Sequence, residues 1–292
     1  MTLNPHENPP TRRDAEAPAP QATPAEPSHA PRPNAVVLDA AAINGQALAK
    51  HAQSLGLTLS PEALAGLITY SQLLFDTNIT MNLVRLHTVD DWVNRHLLDA
   101  LALATQLPEN AKVLDIGAGG GVPGVPLALV RPDIRVTALD ATAKKCRFLE
   151  SLIAPLGLEG RYQVRTGRAE DWGQQDDMRA QFDVVTARAV AALHTLLEWS
   201  VPFLKVNGCL LAMKGQKADQ ELADAQLALT ALHAKHQQTL RFTHPALAES
   251  AVLVIQKCQP TPELYPRPAA KAAKAPLLPR LVRTPSPQGV AP

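Results

Sequence analysis

Cysteine is scarce in this chain, and the little there is does not fall into pairs. Cys146, Cys209 and Cys258 are odd in number, far apart and free of any CxxC spacing. That argues against a disulfide framework and leaves buried, reduced thiols of a cytoplasmic protein as the expectation. No apolar run reaches the roughly 20 residues that a membrane span needs, so no membrane partner is expected. The N-terminal residues lack the apolar centre of a signal peptide, and Glu7, Asp14, Glu16 and Glu26 argue against a transit peptide. Positive charge is not in general excess either. With a formal net charge of +1, a globally basic nucleic-acid surface is excluded, and any polyanion must meet a local patch.

Large apolar side chains are almost missing from residues 1–35, where proline and alanine are frequent. Such a segment cannot offset the entropy of ordering. From Pro260 the composition turns to proline and alanine again, now with Arg267, Lys271, Lys274, Arg280 and Arg283 against Glu263 alone. The organisation expected is a disordered tail over 1–35 with charge −1, a helical region over 36–108, an α/β domain over 109–259 and a basic disordered tail over 260–292 with charge +4. That leaves −2 for the residues between the tails.

Residues 41–108 carry apolar positions at three- and four-residue spacing, in LSPEALAGLITYSQLLF and again in DWVNRHLLDALALATQL, with Ser60 before Pro61 as a helix cap. The stretch NITMNLVRLHTVDD between them reads as an ordered loop. Strands are then predicted over 112–117, 135–140, 162–165, 182–187, 208–214, 239–243 and 251–257. Helices are predicted over 123–130, 143–156, 190–203 and 216–236. This alternation means a Rossmann-like α/β fold, a mostly parallel seven-stranded sheet with helices on both faces. The last two strands are expected to form a hairpin that leaves one antiparallel strand at the sheet edge.

The segment VLDIGAGGGVPG, Val113–Gly124, carries the chemistry. Val113 and Leu114 end a buried strand, Asp115 follows, and a cluster of glycines permits positive φ and close approach of a ligand to main chain at a helix start. Read as the GxGxxG of a dinucleotide site, the pattern fails from Gly117, because its third position is Val122. It fits from Gly119 through Gly121 and Gly124 only if Asp115–Ala118 belong to the strand end. Asp115 favours another ligand. A carboxylate beside the loop repels a pyrophosphate but pairs with the ammonium of an amino-acid moiety, and S-adenosylmethionine has that ammonium and no phosphate. Asp140, at the tip of the next strand, can accept hydrogen bonds from two ribose hydroxyls. Residues Thr166–Asp171, after the third strand, are placed to reach an adenine amino group. An NAD-dependent oxidoreductase and a small-molecule methyltransferase stay open as alternatives.

The segments NLVRL and VNRHLLDAL, then VLDIGAGGGVPGVPLALVRPD, then LDATAKKCRFLE, followed by Arg-Ala-Glu, Ala-Arg-Ala and Lys-Gly loops, resemble the bacterial small-subunit ribosomal RNA methyltransferases of the glucose-inhibited division B type. The likeness covers about residues 60–258, with Asp76 and Met81 as departures. It implies a class I S-adenosylmethionine-dependent methyltransferase acting on ring nitrogen 7 of a guanine, position 527, in the 530 loop of 16S ribosomal RNA. Its partner is that RNA or the small ribosomal subunit particle; the sequence leaves the oligomeric state open, with a monomer as the expectation. By the same resemblance the cofactor contacts fall on Gly117, Val122, Ala169, Glu170 and Arg188, beside Asp115, Gly119 and Asp140 read above.

Ring nitrogen 7 has a free lone pair and no proton to lose, so no catalytic base is expected. The chain agrees in lacking an Asn-Pro-Pro-Tyr loop for exocyclic amines and a Pro-Cys nucleophile for cytosine carbon. Lys144, Lys145 and Arg147 are expected to form a phosphate track with Arg161, Arg165 and Arg168, and Lys214 to touch the guanine or a phosphate. Arg188 has a second reading as an ion pair with Glu170. Arg95 and His96 either cover the site or pack. His233 and His236 have the spacing of helical metal ligands but no third partner, and no metal is expected.

Overall fold

The pleat of a short apolar strand sends neighbouring side chains to opposite faces, and that alternation builds two cores on one sheet. The computed structural model describes residues 31–32 and 35–278. The expected tail over 1–35 therefore lies almost wholly outside the described residues, as does the end of the C-terminal one. Strands β1 (Lys112–Ile116), β2 (Arg135–Asp140), β3 (Tyr162–Thr166), β4 (Phe182–Arg188), β5 (Leu204–Lys214), β6 (Ala234–Arg241) and β7 (Ala251–Lys257) form a sheet of order β3-β2-β1-β4-β5-β7-β6. The first five are parallel, and β7 runs antiparallel between β5 and β6. Strand order reverses between β1 and β4, so the crevice for a ligand opens beyond their carboxyl ends.

Helices α1 (Gly45–Ser54), α2 (Pro61–Thr80), α3 (Val89–Trp92) and α4 (Leu98–Ala104) precede the sheet, with a π-helical turn over Val93–Leu97. Ser60 caps α2 as its sequence predicts, its Oγ accepting from the Ala63 amide at 3.1 Å. These helices share one core with α5 (Gly124–Val130) and α6 (Ala143–Ser151). Leu67, Tyr70, Leu74, Trp92 and Leu98 pack with Val113, Val136 and Ala138 on one sheet face. Leu114, Leu139, Val185 and Leu210 look the other way, toward α8 (Leu193–Ser200) and α10 (Gln226–Ala231). Each such buried aliphatic side chain contributes about 2 kcal/mol. The helical region is part of the sheet's core, with no seam at residue 108.

Two expectations at the C-terminal side are corrected. The helix predicted over 216–236 is broken into α9 (Ala218–Asp224) and α10, and β6 begins at Ala234, not at 239. His233 adopts φ 57°, a left-handed turn that ends the helix, and Ala234–His236 then gain ladder partners in β7. The reversed strand is consequently one place in from the edge, and β6 forms the rim. His233 and His236 are not on a helix, and among the described residues no three candidate ligands converge.

The chain also does not loosen at Pro260. Thr261, Tyr265, Arg267 and Leu277 are buried, and residues Ala269–Lys274 form α11. Arg267 grips Glu198 of α8 through Nε and Nη2, both at 2.7 Å, with its own amide on the same carboxylate at 2.9 Å. The Arg179 guanidinium donates to the carbonyls of Thr261, Pro262 and Tyr265. Composition alone conceals these anchors. Arg267→Ala leaves Glu198 buried and unpaired, so urea denaturation should show a loss of about 3–5 kcal/mol. Exposed Lys271→Ala should change stability by less than about 0.5 kcal/mol.

Candidate active site

Main chain, not side chain, forms the floor of the crevice, because the residues between β1 and α5 are mostly glycine. Asp115, at the end of β1, is 1% exposed and turned inward beneath that loop. Its Oδ2 accepts from the Gly124 amide and its Oδ1 from Thr186 Oγ1 of β4, both at 3.0 Å. A Cβ on Gly124 would stand 2.8 Å from that same Oδ2, so only glycine lets the start of α5 close on the acid. Asp140 reaches across from β2: Oδ2 accepts from the Gly119 amide at 2.9 Å and Oδ1 from the Thr142 amide at 2.8 Å. Gly119 sits at φ 56°, and a Cβ there would meet only the Gly117 carbonyl oxygen at 3.6 Å, an ordinary contact. From α2, fully buried Tyr70 donates its hydroxyl to the Gly120 carbonyl at 2.7 Å. The loop is thus held from β1, β2, β4 and α2 at once. Each Asp115 oxygen already accepts one hydrogen bond from the protein, so the acid that the sequence assigns to an ammonium also fixes the loop from beneath.

Gly117 is exposed at the crevice mouth and Val122 is buried at the far end of the loop. Beyond β2, after the edge strand β3, Ala169 and Glu170 open α7 (Ala169–Trp172). Glu170 is 6% exposed, and its Oε1 is buried without a hydrogen-bond partner. The pairing of Arg188 with Glu170 does not form.

Arg188, the last residue of β4, instead reaches the N-terminal helices. Its Nη1 bonds His96 Nδ1 at 2.8 Å, its Nη2 donates to the Arg95 carbonyl at 2.7 Å, and Nε lies 3.7 Å from Asp99. Arg95 and His96 both lie in the π-helical turn, a feature frequent at functional sites. Burial, with Arg188 and Arg95 beside it, pushes His96 down to about 3, so the neutral ring offers Nδ1 as the acceptor and stacks on Trp92 at 5.3 Å. Burial also raises the Asp99 carboxyl, against the Ser250 hydroxyl and Arg188, which favour its charge. Ala189 follows at φ 52°, a strained position for a residue with a Cβ.

Beside Arg188 a cleft of about 1070 Å³ runs between the π turn, the loop after β4, the end of β5 and residues 245–250. Lys214 lines it, but its Nζ is bound to Glu221 Oε2 and the Ala191 carbonyl, both at 2.7 Å. Arg95 stands at the cleft rim with its side chain 75% exposed. Lys144 and Arg147 are exposed on α6, facing outward from the crevice side of β2. The predicted phosphate track is split: Arg161 precedes β3 at the opposite end of the sheet and donates to the Ala128 carbonyl, and Arg165 shares its cavity. Cys146 is buried against the Asp140 carbonyl, whereas Cys258 is exposed, contrary to the expectation of buried thiols.

Sequence reading passed over Asp99, Tyr70 and Glu221, whereas Thr186 is read from its place at the end of the fourth strand. Asp99 carries a usable signal, an acid inside the apolar helix LLDALALA. Tyr70 carries none, since it resembles ordinary core until its partner is placed.

The strand order, the reversed β7 and the acid-glycine-acid crevice at the switch point define the Rossmann-like fold of class I methyltransferases. A family model described as rRNA small subunit methyltransferase G (GidB) matches residues 63–249, and the chain belongs to that family. Among its relatives, the Moorella thermoacetica protein named Ribosomal RNA small subunit methyltransferase G is 38% identical over 233 residues, 79% of this chain and 97% of that one. The protein of the same name from Lactobacillus delbrueckii subsp. bulgaricus is 39% identical over 240 residues, 80% of this chain and 100% of its own. One from Streptococcus equi subsp. zooepidemicus is 41% identical over 212 residues, 72% and 89% of the two chains.

Burial raises the Asp115 carboxyl to about 7, against the hydrogen bonds from Thr186 and Gly124, with the Asp140 charge adding to the rise. Between the ordinary carboxylate range and about 7 the folded protein keeps a proton that the unfolded chain releases. This group's contribution to stability is therefore fully present at low pH and is lost as pH rises through about 7. Asp115→Asn can still accept from Gly124 and donate to Thr186, and it removes that slope. Urea midpoints taken from about pH 5 to about pH 8 should fall more steeply for the wild type than for the variant. Parallel curves would mean an acid ionised throughout.

Proposed function

We propose that this protein transfers a methyl group from S-adenosylmethionine to ring nitrogen 7 of a guanine, position 527 of the 530 loop, in 16S ribosomal RNA. The observation that carries the reading is the crevice at the β1/β4 switch point, where two carboxylates fix a glycine main chain, in a chain of the GidB family.

The residues present fit the donor. Glu170 Oε1 is a buried acceptor in need of a hydrogen, and an adenine amine supplies one. Asp140 retains acceptor capacity on both oxygens for ribose hydroxyls. Gly117, Gly119, Val122 and Ala169 offer close main chain, and Asp115 acts through the loop it holds. When bound, S-adenosylmethionine supplies an electrophilic methyl on a sulfonium. The chain's own part is to position the guanine, to exclude water and to hold charge in place. No side chain has to take a proton, because ring nitrogen 7 attacks with a free lone pair. Arg188, fixed by His96, the Arg95 carbonyl and Asp99, presents a planar cation on the substrate side, and Lys214 shapes the loop after β4 through the Ala191 carbonyl. Backbone phosphates fall to the surface cations Lys144, Lys145 and Arg147, which have no carboxylate partner among the described residues, and to Arg95, whose only ion pair among them is a long one of 3.8 Å to Asp91. The partner is 16S ribosomal RNA or the small ribosomal subunit particle in the cytoplasm.

Calorimetry should detect S-adenosylhomocysteine and no NAD. Purified protein should move a labelled methyl into 16S RNA from cells lacking this enzyme, with the product mapped by cleavage at N7-methylguanosine. Label in a small molecule but never in RNA would defeat the assignment. Arg188→Lys keeps the charge but loses the fork of donors, so kcat/KM should fall roughly hundredfold while the fold survives.

A further inference from the structure

Away from the crevice, on the face that β2 and β3 turn toward α8, the crossover from β3 to β4 leaves the sheet uncovered. The helix that usually closes such a face is here one turn long, and residues 173–181 continue as turns at the rim. The open face holds a cavity of about 370 Å³ lined by Lys112, Arg135, Arg161 and Arg165, with Asp177 the acid among its walls. Lys112 and Arg135 are direct register neighbours on β1 and β2. Like charges on adjacent strands, about 4.8 Å apart, repel each other. Among the described residues none of the four cations has a carboxylate within ion-pair distance. Arg161 is partly engaged by the carbonyls of Ala128 and Gly157. Asp183, the other acid nearby, is taken up by the Lys205 ammonium and the Lys112 amide. In a protein of net charge +1, four cations around one concave surface are not an average of the composition. A merely solvated face would mix its signs.

We infer that this face is a second RNA-binding site, which takes backbone phosphates of the same RNA at a distance from the modified nucleotide. The inference rests on ribosomal RNA being the substrate. Arg135 begins β2 and Asp140 ends it, so the cavity starts roughly 17 Å of strand away from the crevice and reaches toward it as far as Arg165, in register with Leu139. A nucleoside cannot touch both, whereas a folded RNA can. The site adds affinity and register without touching the reacting atoms, and that gives a small, nearly neutral protein a purchase on a large polyanion.

The test is the double variant Arg135→Glu/Arg165→Glu, compared with Arg135→Lys/Arg165→Lys, on protein-free 16S RNA and on the small-subunit particle. The glutamate pair should weaken binding to protein-free RNA by about tenfold or more at low salt and reduce the slope of log K against log salt by about 1 to 2. It should raise KM while kcat and S-adenosylhomocysteine affinity stay at wild-type values, and the lysine pair should behave as wild type. If the glutamate pair loses S-adenosylhomocysteine binding as well, Arg135→Gln/Arg165→Gln decides by the same slope. An unchanged slope and KM overturn the inference and leave the methyltransferase reading standing. Weaker binding to the particle with unchanged binding to free RNA overturns it in favour of a protein contact. If wild-type protein neither binds nor methylates the RNA, the substrate reading fails and this site fails with it.

Discussion

The buried carboxylate of Asp115 is the constraint on which the crevice depends. It lies beneath a loop that has almost no side chains of its own to pack, and it ties the first amide of α5 to the hydroxyl of Thr186 on the neighbouring strand. A loop of glycines has the highest conformational entropy of any sequence. Without an internal acceptor its amides would sample many directions, and a ligand would bear the cost of ordering them. Asp115, Asp140 and Tyr70 meet that cost in the folded protein, each through a hydrogen bond to a different glycine of the segment. The low dielectric that raises the Asp115 carboxyl also strengthens each of these bonds. Preorganisation here is a property of the protein alone.

This arrangement makes the N-terminal helices part of the site. Tyr70 reaches the loop from α2, and the π turn between α3 and α4 holds Arg188 by a ring nitrogen and a carbonyl. Ser250, just before β7, closes the circle with a hydrogen bond to Asp99 at 2.7 Å. Elements from both ends of the chain thus converge on the end of β4. Removing any one leaves a buried charge or amide without its partner, which costs more than the contact itself contributes. The fold and the site are therefore difficult to destabilise separately on this side of the sheet, whereas the strap through Arg267 and Glu198 is a latch on the opposite face.

The sheet was largely legible because its strands are short apolar runs bounded by glycine, proline or acid, and the acid-glycine-acid order names its own crevice. Boundaries failed where a tertiary partner outweighs local preference. Ala234–His236 look helical until β7 offers a ladder, and the residues after Pro260 look like tail until Arg179 and Glu198 supply anchors. The roles of single charges were the least legible. Sequence lists Arg188, Glu170 and Lys214 as charges near one another, but which acid meets which base depends on helix placement at the ångström level. Asp99 and Glu221, not Glu170, turn out to be the partners of the two cations.

That pairing bears on how a nearly neutral protein handles RNA. The cations at the heart of the cleft, Arg188 and Lys214, both face a carboxylate and are largely desolvated, so they define shape and orientation and add little long-range attraction. The cations without carboxylate partners lie outside, on α6 and on the open face of β2 and β3, where salt screens them freely. In the function proposed above, recognition at the reacting base and attraction to the backbone are therefore assigned to different residues. A change in ionic strength then acts on encounter with the substrate and leaves the geometry at the end of β4 untouched, which is the division expected of an enzyme that must select one base out of a very large polyanion.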